Sequence, residues 1–467
     1  MESDYMRILE RFDWRLALAA GRTRKKVFDE EQAGPAAQDA LICGILPALS
    51  CFVEWILERA GAEGKQRVYF LARDGYLMYR MAKQFCAGRG LPVECRYLYG
   101  SRYAWRVPQY HLDWEGCVDK LCLGGLRVNF LVMMQRAGLT TEEALDIAAG
   151  YWPELSGEAL WAAVREEIPY IRLGGWKDRL REDRRLRAAV EEKSRKAFAA
   201  AAGYLRQEGL TDPVPYVLAD SGWVGSIQQT LEALLKCAGD ADRKLSGYYY
   251  GLYSLPAGAD PSAYQTWYFS PRRGLREKVY FNNCLFECVF SSPEGSCIGY
   301  ETAPDKSVCP VTEPGGSPNR ERMEWEERLL TLFVNEYLRE YPDSESVRAR
   351  GQDAGKRISF EIWKRLMTRP SPEEAEYFGT LLFTDDVIAG AVRETAPVFT
   401  EQEKKARRLI RRLAGLCRGA KGSSMGVSAW PEGSLARSGE KGSRGYREEI
   451  LHKYLLYGVK QLMGWRR

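Results

Sequence analysis

The chain has 467 residues, 45% of them hydrophobic and 28% charged, enough for a sizeable core divided among two or three lobes. Lysine and arginine number 68 against 63 aspartates and glutamates, and this near balance excludes a global polycation of the kind that binds nucleic acid. The 12 cysteines form no CxxC pair and only His111 and His452 add imidazole, which argues against a zinc site or a regular disulfide framework and for reduced thiols in the cytoplasm.

Residues 1–38 read as a helical arm with a basic knot, Arg22-Thr23-Arg24-Lys25-Lys26. Such a run is either a solvated face or a contact for anionic lipid or product. The start is charged throughout and lacks the apolar core of a signal peptide, so export is not expected. Ala40 to Ile56 is apolar enough to raise a membrane span, but Pro47 and Glu54 interrupt it and a strand follows. A buried helix is expected there.

Residues 39–110 supply the first part of an α/β core. The run Val68 to Ala72 reads as a strand, Arg73-Asp74-Gly75 as a turn, and Leu77, Met78, Met81, Ala82 and Phe85 as the inner side of a helix. VECRYLYGSRYAWRVP reads as a second strand ending at Gly100-Ser101-Arg102. Residues 111–210 are helical in pattern, an insertion serving either as an acceptor lobe or as a stabilising lid.

Residues 211–299 return to the core. Tyr216 to Ala219 form an apolar strand that ends on Asp220, passes Gly222, Gly225 and Ser226, and opens into a helix with Ile227, Leu231, Leu234 and Leu235 on one side. Free N–H groups at a helix start favour an anion such as phosphate, and glycines let the backbone approach it. Taken singly, Asp74 is equally a helix cap, Arg102 a partner for a surface carboxylate, and Asp220 a turn residue. In an open parallel sheet the three strand ends converge on one crevice. Tyr248 to Tyr250 and Tyr253 suit a buried strand better than a sugar platform. Glu287 sits in an apolar stretch, where a carboxylate is costly unless paired or functional, and Ser291 to Ser296 form a tight turn toward the crevice.

Residues 300–320 are rich in proline and glycine and read as a linker, and 321–467 read as helical. The double acid in LLFTDDVIAGAV, Leu381 to Val392, lacks a following glycine cradle and is assigned to structure. Residues 419–445 are rich in glycine and serine; Trp430 and Glu432 within them either meet an acceptor sugar or belong to a flexible linker. The last helix, with Ile450, Leu451, Tyr454, Leu455, Val459 and Leu462 apolar among basic residues, either packs on the body of the protein or lies on a membrane surface.

LADSGWVGS resembles a shortened form of the phosphoribosyl-pyrophosphate loop of type I phosphoribosyltransferases, whose acidic residues hold the ribose hydroxyls and whose Gly and Ser/Thr-rich turn cradles the 5-phosphate. The resemblance implies that Asp220 is the acidic residue and that Ser221, Gly222, Gly225 and Ser226 form the cradle. It further implies that Arg73, Asp74 and Gly75 form the pyrophosphate-side loop, with Asp74 on Mg²⁺, and that Ser101 and Arg102 bind pyrophosphate. The family pattern has two adjacent acids and a Thr-Thr-Gly-Gly-Thr run, where this chain has Ala219-Asp220 and Trp223-Val224-Gly225-Ser226.

Together FLARDGYL, YLYGSRYAWRVP, ADSGWVGSIQQTL and NNCLFECVFSSPEGSCIGY resemble a module of bacterial polysaccharide gene clusters, often fused to, and labelled as, a haloacid-dehalogenase-type hydrolase. The fold this implies is α/β, a type I phosphoribosyltransferase-like parallel sheet with a large helical insertion and a helical C-terminal region. The activity it implies is transfer of a 5-phosphoribosyl group from phosphoribosyl pyrophosphate to a sugar hydroxyl of a surface glycan. Pyrophosphate is released, Mg²⁺ assists, Asp74 or Asp220 accepts the proton, and a separate phosphatase trims the product. The acceptor, free or lipid-linked, would meet Glu287, Trp430 and Glu432, in the cytoplasm or at the inner face of the membrane. Two other classes remain, a phosphohydrolase and a non-catalytic scaffold of a polysaccharide-assembly complex. The first needs an Asp-x-Asp pair on its first strand, yet Asp220 precedes Ser221 and Gly222, and Asp240-Ala241-Asp242 lies in a polar loop.

Overall fold

A computed structural model describes residues 3–27, 33–124, 128–240, 243–383, 392–406, 428–439 and 443–464. Five parallel strands form its central sheet: β1 (Arg67–Leu71), β2 (Glu94–Leu98), β3 (Tyr216–Trp223), β4 (Gly247–Leu252) and β5 (Tyr264–Phe269), in the order β2-β1-β3-β4-β5. Every residue of β1 and β4 is buried, as a parallel sheet covered on both faces requires. Alternate side chains supply the two faces. Val68, Phe70, Val217, Ala219, Tyr248 and Tyr250 join Phe52, Met78, Phe333 and Ile362 in one core, whereas Tyr69, Leu71 and Leu218 join Leu205, Leu231 and Leu235 in another. The chain leaves β1 toward β2 on one side and resumes with β3 on the other, so the strand order reverses between β1 and β3, where α/β sheets open a crevice at their carboxyl ends.

The apolar window folds as expected. A π-helical turn, Ala40–Ile45, runs into the helix Leu46–Ala62, and almost all of both is buried. The continuous helical stretch Pro35–Ala62 is long and apolar enough to cross a membrane, but its most apolar window lies wholly inside the protein. Glu54, which interrupts that window, is paired with Arg89 at 2.7 Å in the interior.

Two expectations give way to packing, the projecting arm and the free linker. The N-terminal helices Asp4–Phe12 and Trp14–Val27 do not project as an arm: Tyr5, Leu9 and Leu16 enter the main core. Three cations of the basic knot are engaged by carboxylates, Arg22 with Glu340 (2.5 Å), Arg24 with Asp39 (3.1 Å) and Lys26 with Glu336 (2.6 Å). The stretch 300–320 is no free linker, because β6 (Cys297–Thr302) and β7 (Val308–Thr312) pair antiparallel across it. Gln207 bonds both the N–H and the carbonyl of Val308, tying this hairpin to the helix Arg184–Gln207. The insertion is helical as read and has its own core, from Tyr110 and Trp114 to Leu186 and Val190.

Beyond residue 320 helices dominate among the described residues, which there include one short ladder between Leu382–Phe383 and Arg393–Glu394. The double acid at 385–386 falls outside the described residues. The helix Ser443–Gly464 contacts the body, where Tyr457 stacks on Tyr253 and Lys453 pairs with Glu432, while Leu451, Leu455 and Val459 stay about half exposed.

Glu326, on the helix Arg320–Glu340, is buried with one carboxylate oxygen unpartnered among the described residues; burial pushes its pKa up to about 8 against the pull of Arg322. A folded pKa above the unfolded value means that stability falls as pH rises toward about 8. At about 1.4 kcal/mol per pH unit, Glu326→Gln is expected to lose about 2 kcal/mol less stability than the parent between pH 6 and pH 8. Urea melts at the two pH values check this; equal losses would disprove it.

Candidate active site

At the carboxyl ends of β1, β2 and β3 lies a crevice of about 160 Å³. Ala72, Arg73 and Asp74 reach it from β1, Gly100, Ser101 and Arg102 from β2, and Asp220 through Ile227 from β3. Glu287 and Ser296 close it. The three separate sequence stretches therefore meet in one place.

Local geometry explains several of these residues. Gly222 has φ +127°, and a Cβ there would stand 1.9 Å from the Gly251 carbonyl oxygen, so only glycine lets β3 pass β4 at this point. Gly225, at φ +71°, caps the helix Ser226–Cys237 and lies against the Tyr264 ring, with no room for a side chain. The backbone N–H groups at this helix start border the crevice. Gly75 does not line it. Its role is close approach, since a Cβ would meet the Leu71 carbonyl oxygen at 2.5 Å.

Charge is concentrated at the crevice floor. The Ser221 hydroxyl donates to Asp74 at 2.7 Å, and Arg73 Nε stands 3.8 Å from the other Asp74 oxygen. Burial raises the Asp74 pKa against the pull of Arg73, Ser221 and Arg102. Burial, reinforced by the Asp74 charge, holds Asp220 well above the ordinary carboxylate range. Glu287, on the helix Asn283–Phe290, accepts from the Trp223 indole N–H at 2.5 Å; burial and then Asp74 push it to about 7, with Arg73 opposing. Two arginines and three carboxylates thus line one small crevice.

Ser101 borders the crevice but is already engaged. Its hydroxyl oxygen accepts from the Ala104 N–H at 3.0 Å, capping a short helix, and donates to the Cys297 carbonyl at 2.7 Å. Ser101→Ala is expected to lower stability by about 1 kcal/mol and to leave ligand affinity at the crevice within twofold. A tenfold loss of affinity with unchanged melting would restore a ligand role for Ser101.

Trp430 and Glu432 lie elsewhere. Trp430 is fully buried, with its indole N–H donating to the Met367 carbonyl at 2.8 Å, and Glu432 is buried against Lys453 at 2.5 Å. Neither presents a surface to a sugar. Among the described residues no three carboxylate, imidazole or thiol side chains gather as a metal cage. The hard oxygens of Asp74 beside a phosphate-sized crevice suit Mg²⁺, which needs only one or two carboxylates when substrate phosphates complete its shell.

A second cavity, about 340 Å³, adjoins the first. Arg73 and Glu287 line both. Its other walls are Cys288, Ser291 and Gly295 on one side, and Met323, Leu382, Val392 and the loop Glu313 to Asn319 on the other. Sequence reading places Ser291 and Ser296 near the crevice but misses this loop. The loop's one local signal is the pair Gly315-Gly316, both at positive φ (83° and 74°).

No protein-family model and no curated protein matches the chain.

Proposed function

We propose that the protein transfers a 5-phosphoribosyl group from phosphoribosyl pyrophosphate to a sugar hydroxyl of a bacterial surface glycan, on a phosphoribosyltransferase-like sheet. The observation that carries the reading is the meeting of Arg73-Asp74, Arg102 and Asp220 to Ser226 in one crevice where the strand order reverses. The 5-phosphate sits at the Gly225-Ser226 helix start, the ribose at Asp220, and the pyrophosphate toward Arg73 and Arg102.

In the transfer the acceptor oxygen bonds to the anomeric carbon as the bond from that carbon to pyrophosphate breaks, and the electron pair leaves with pyrophosphate. Cations near the leaving oxygens and a carboxylate near the oxocarbenium-like ribose stabilise this transition state. Mg²⁺, held by Asp74, supplies further charge neutralisation on pyrophosphate when bound. The acceptor proton must pass to a carboxylate. Asp74 is engaged by Ser221 and Arg73, and burial holds Asp220 well above the ordinary carboxylate range, whereas Glu287 lines both cavities and is pushed up to about 7. Glu287 is therefore the proton acceptor in this reading, in place of Asp74 or Asp220. Attack opposite pyrophosphate converts an α donor into a β-ribofuranoside.

Incubation with phosphoribosyl pyrophosphate, Mg²⁺ and synthetic glycan acceptors, following pyrophosphate release, tests the reading. Turnover with at least one acceptor is expected. Absence of turnover together with absence of a donor-induced thermal shift rejects it and leaves a scaffold; phosphate release from a generic phosphate ester favours a phosphohydrolase.

A further inference from the structure

We infer that the second cavity is the acceptor site and that it takes a neutral carbohydrate ring, an inference that rests on the transfer reading above. Its volume, about 340 Å³, falls in the range of small-molecule pockets, roughly 300–1,000 Å³. Among the described residues, Arg73 and Glu287 are the two that line both this cavity and the crevice. A molecule seated there is positioned to present a hydroxyl to Glu287 while the donor occupies the other side.

The lining points to a sugar. Ser291, Ser317 and Glu313 offer hydroxyl and carboxylate groups, and Met323 with Leu382 offers an apolar wall for the C–H face of a ring. Glu313 and Glu287 outnumber Arg73, so the cavity does not suit a multiply charged anion such as pyrophosphate. Its walls are firmly joined. Glu313 accepts from the Ser296 N–H at 2.8 Å and donates its own N–H to the Ser296 carbonyl at 3.0 Å, and Ser317 N–H and Arg320 Nε both reach the Pro293 carbonyl, at 3.1 and 3.2 Å. Asn319 bonds the N–H and carbonyl of Leu382 at 2.9 and 2.8 Å, fixing the apolar wall to the same loop. The helical insertion, the other candidate for an acceptor lobe, contributes none of its described residues between 111 and 210 to either cavity.

The test uses the full chain and synthetic disaccharides with an undecyl aglycone, terminating in hexose or N-acetylhexosamine. Leu382→Trp fills the cavity from a residue whose backbone is held independently of its side chain. It is expected to raise the acceptor KM at least tenfold while the donor KM stays within twofold. Ser291→Ala, which removes the hydroxyl and adds no bulk, is expected to raise the acceptor KM severalfold and covers the case in which Leu382→Trp fails to fold. Unchanged acceptor KM in a folded, active variant overturns the acceptor site and leaves the transfer reading standing. Where the parent protein shows neither turnover nor a donor-induced shift, the transfer reading fails first, and saturation-transfer NMR of the disaccharides decides the cavity alone. A signal lost in Leu382→Trp supports carbohydrate binding there, and absence of signal from the parent overturns it.

Discussion

Replacing Asp220 by Asn is expected to lower pyrophosphate release at least about 100-fold, because Asn cannot supply the carboxylate that the developing cation draws into its ionised form, while the protein stays folded. Asp220 lies in the second half of β3, about 6% exposed, where its backbone pairs with Tyr249 of β4. Asn keeps that backbone pairing and nearly the same volume. It also resembles the protonated side chain that burial and the Asp74 charge already favour. The folded pKa of Asp220 lies above its unfolded value, so at neutral pH its carboxylate subtracts from stability. The variant should therefore melt at the same temperature as the parent or higher, the trade expected where a strained charge serves catalysis. Activity lost along with the fold would leave the role of Asp220 open to Asp220→Glu. Unchanged turnover in a folded Asn variant would move the site elsewhere.

The parts of this site that were legible in the sequence are those set by local chain rules. An apolar run followed by a polar turn and a 3.6-residue apolar period marks a strand, loop and helix. Three such units, ending at Arg73-Asp74, Ser101-Arg102 and Asp220 to Ser226, did come together, because parallel neighbours must align their carboxyl ends. What local rules do not carry is partnership across the chain. Ser101 offers the same hydroxyl to a ligand or to Ala104 and Cys297, and only the fold brings Cys297 within 2.7 Å. Pro and Gly content made 300–320 read as a linker, yet the same residues turn a hairpin and wall a cavity through bonds to Pro293 and Ser296. Trp430 sits in a glycine- and serine-rich stretch, a composition that says nothing of the Met367 carbonyl waiting in the core. The basic knot left a solvated face and an anion contact both open because Glu336 and Glu340 lie more than three hundred residues away in sequence.

Removing Arg89 is expected to cost the largest share of stability of any single change outside the crevice, about 3–5 kcal/mol for Arg89→Leu, read from urea melts at pH 7. Arg89 ends the helix Tyr76–Arg89 and reaches Glu54 on the helix Leu46–Ala62, with their side chains 2% and 3% exposed. Its guanidinium also donates to the Tyr341 carbonyl at 2.9 Å and lies over the rings of Phe85 and Tyr337, at 4.9 and 5.6 Å from their centroids. One cation thus joins three helices behind the sheet. Leucine would leave Glu54 as a buried charge with Arg350 and the Tyr337 hydroxyl to offset it, and burial already raises the Glu54 pKa against the pull of both arginines. Two consequences separate this account from a simple loss of packing. The defect should shrink as pH falls, because protonating Glu54 removes the uncompensated charge and a raised folded pKa stabilises the protein most on the acid side. The double variant Glu54→Leu/Arg89→Leu should recover most of the loss, since two apolar side chains of similar bulk replace the pair at little net cost. Equal damage in the single and double variants would assign the stability to the contacts of Arg89 with Tyr341, Phe85 and Tyr337 rather than to its charge.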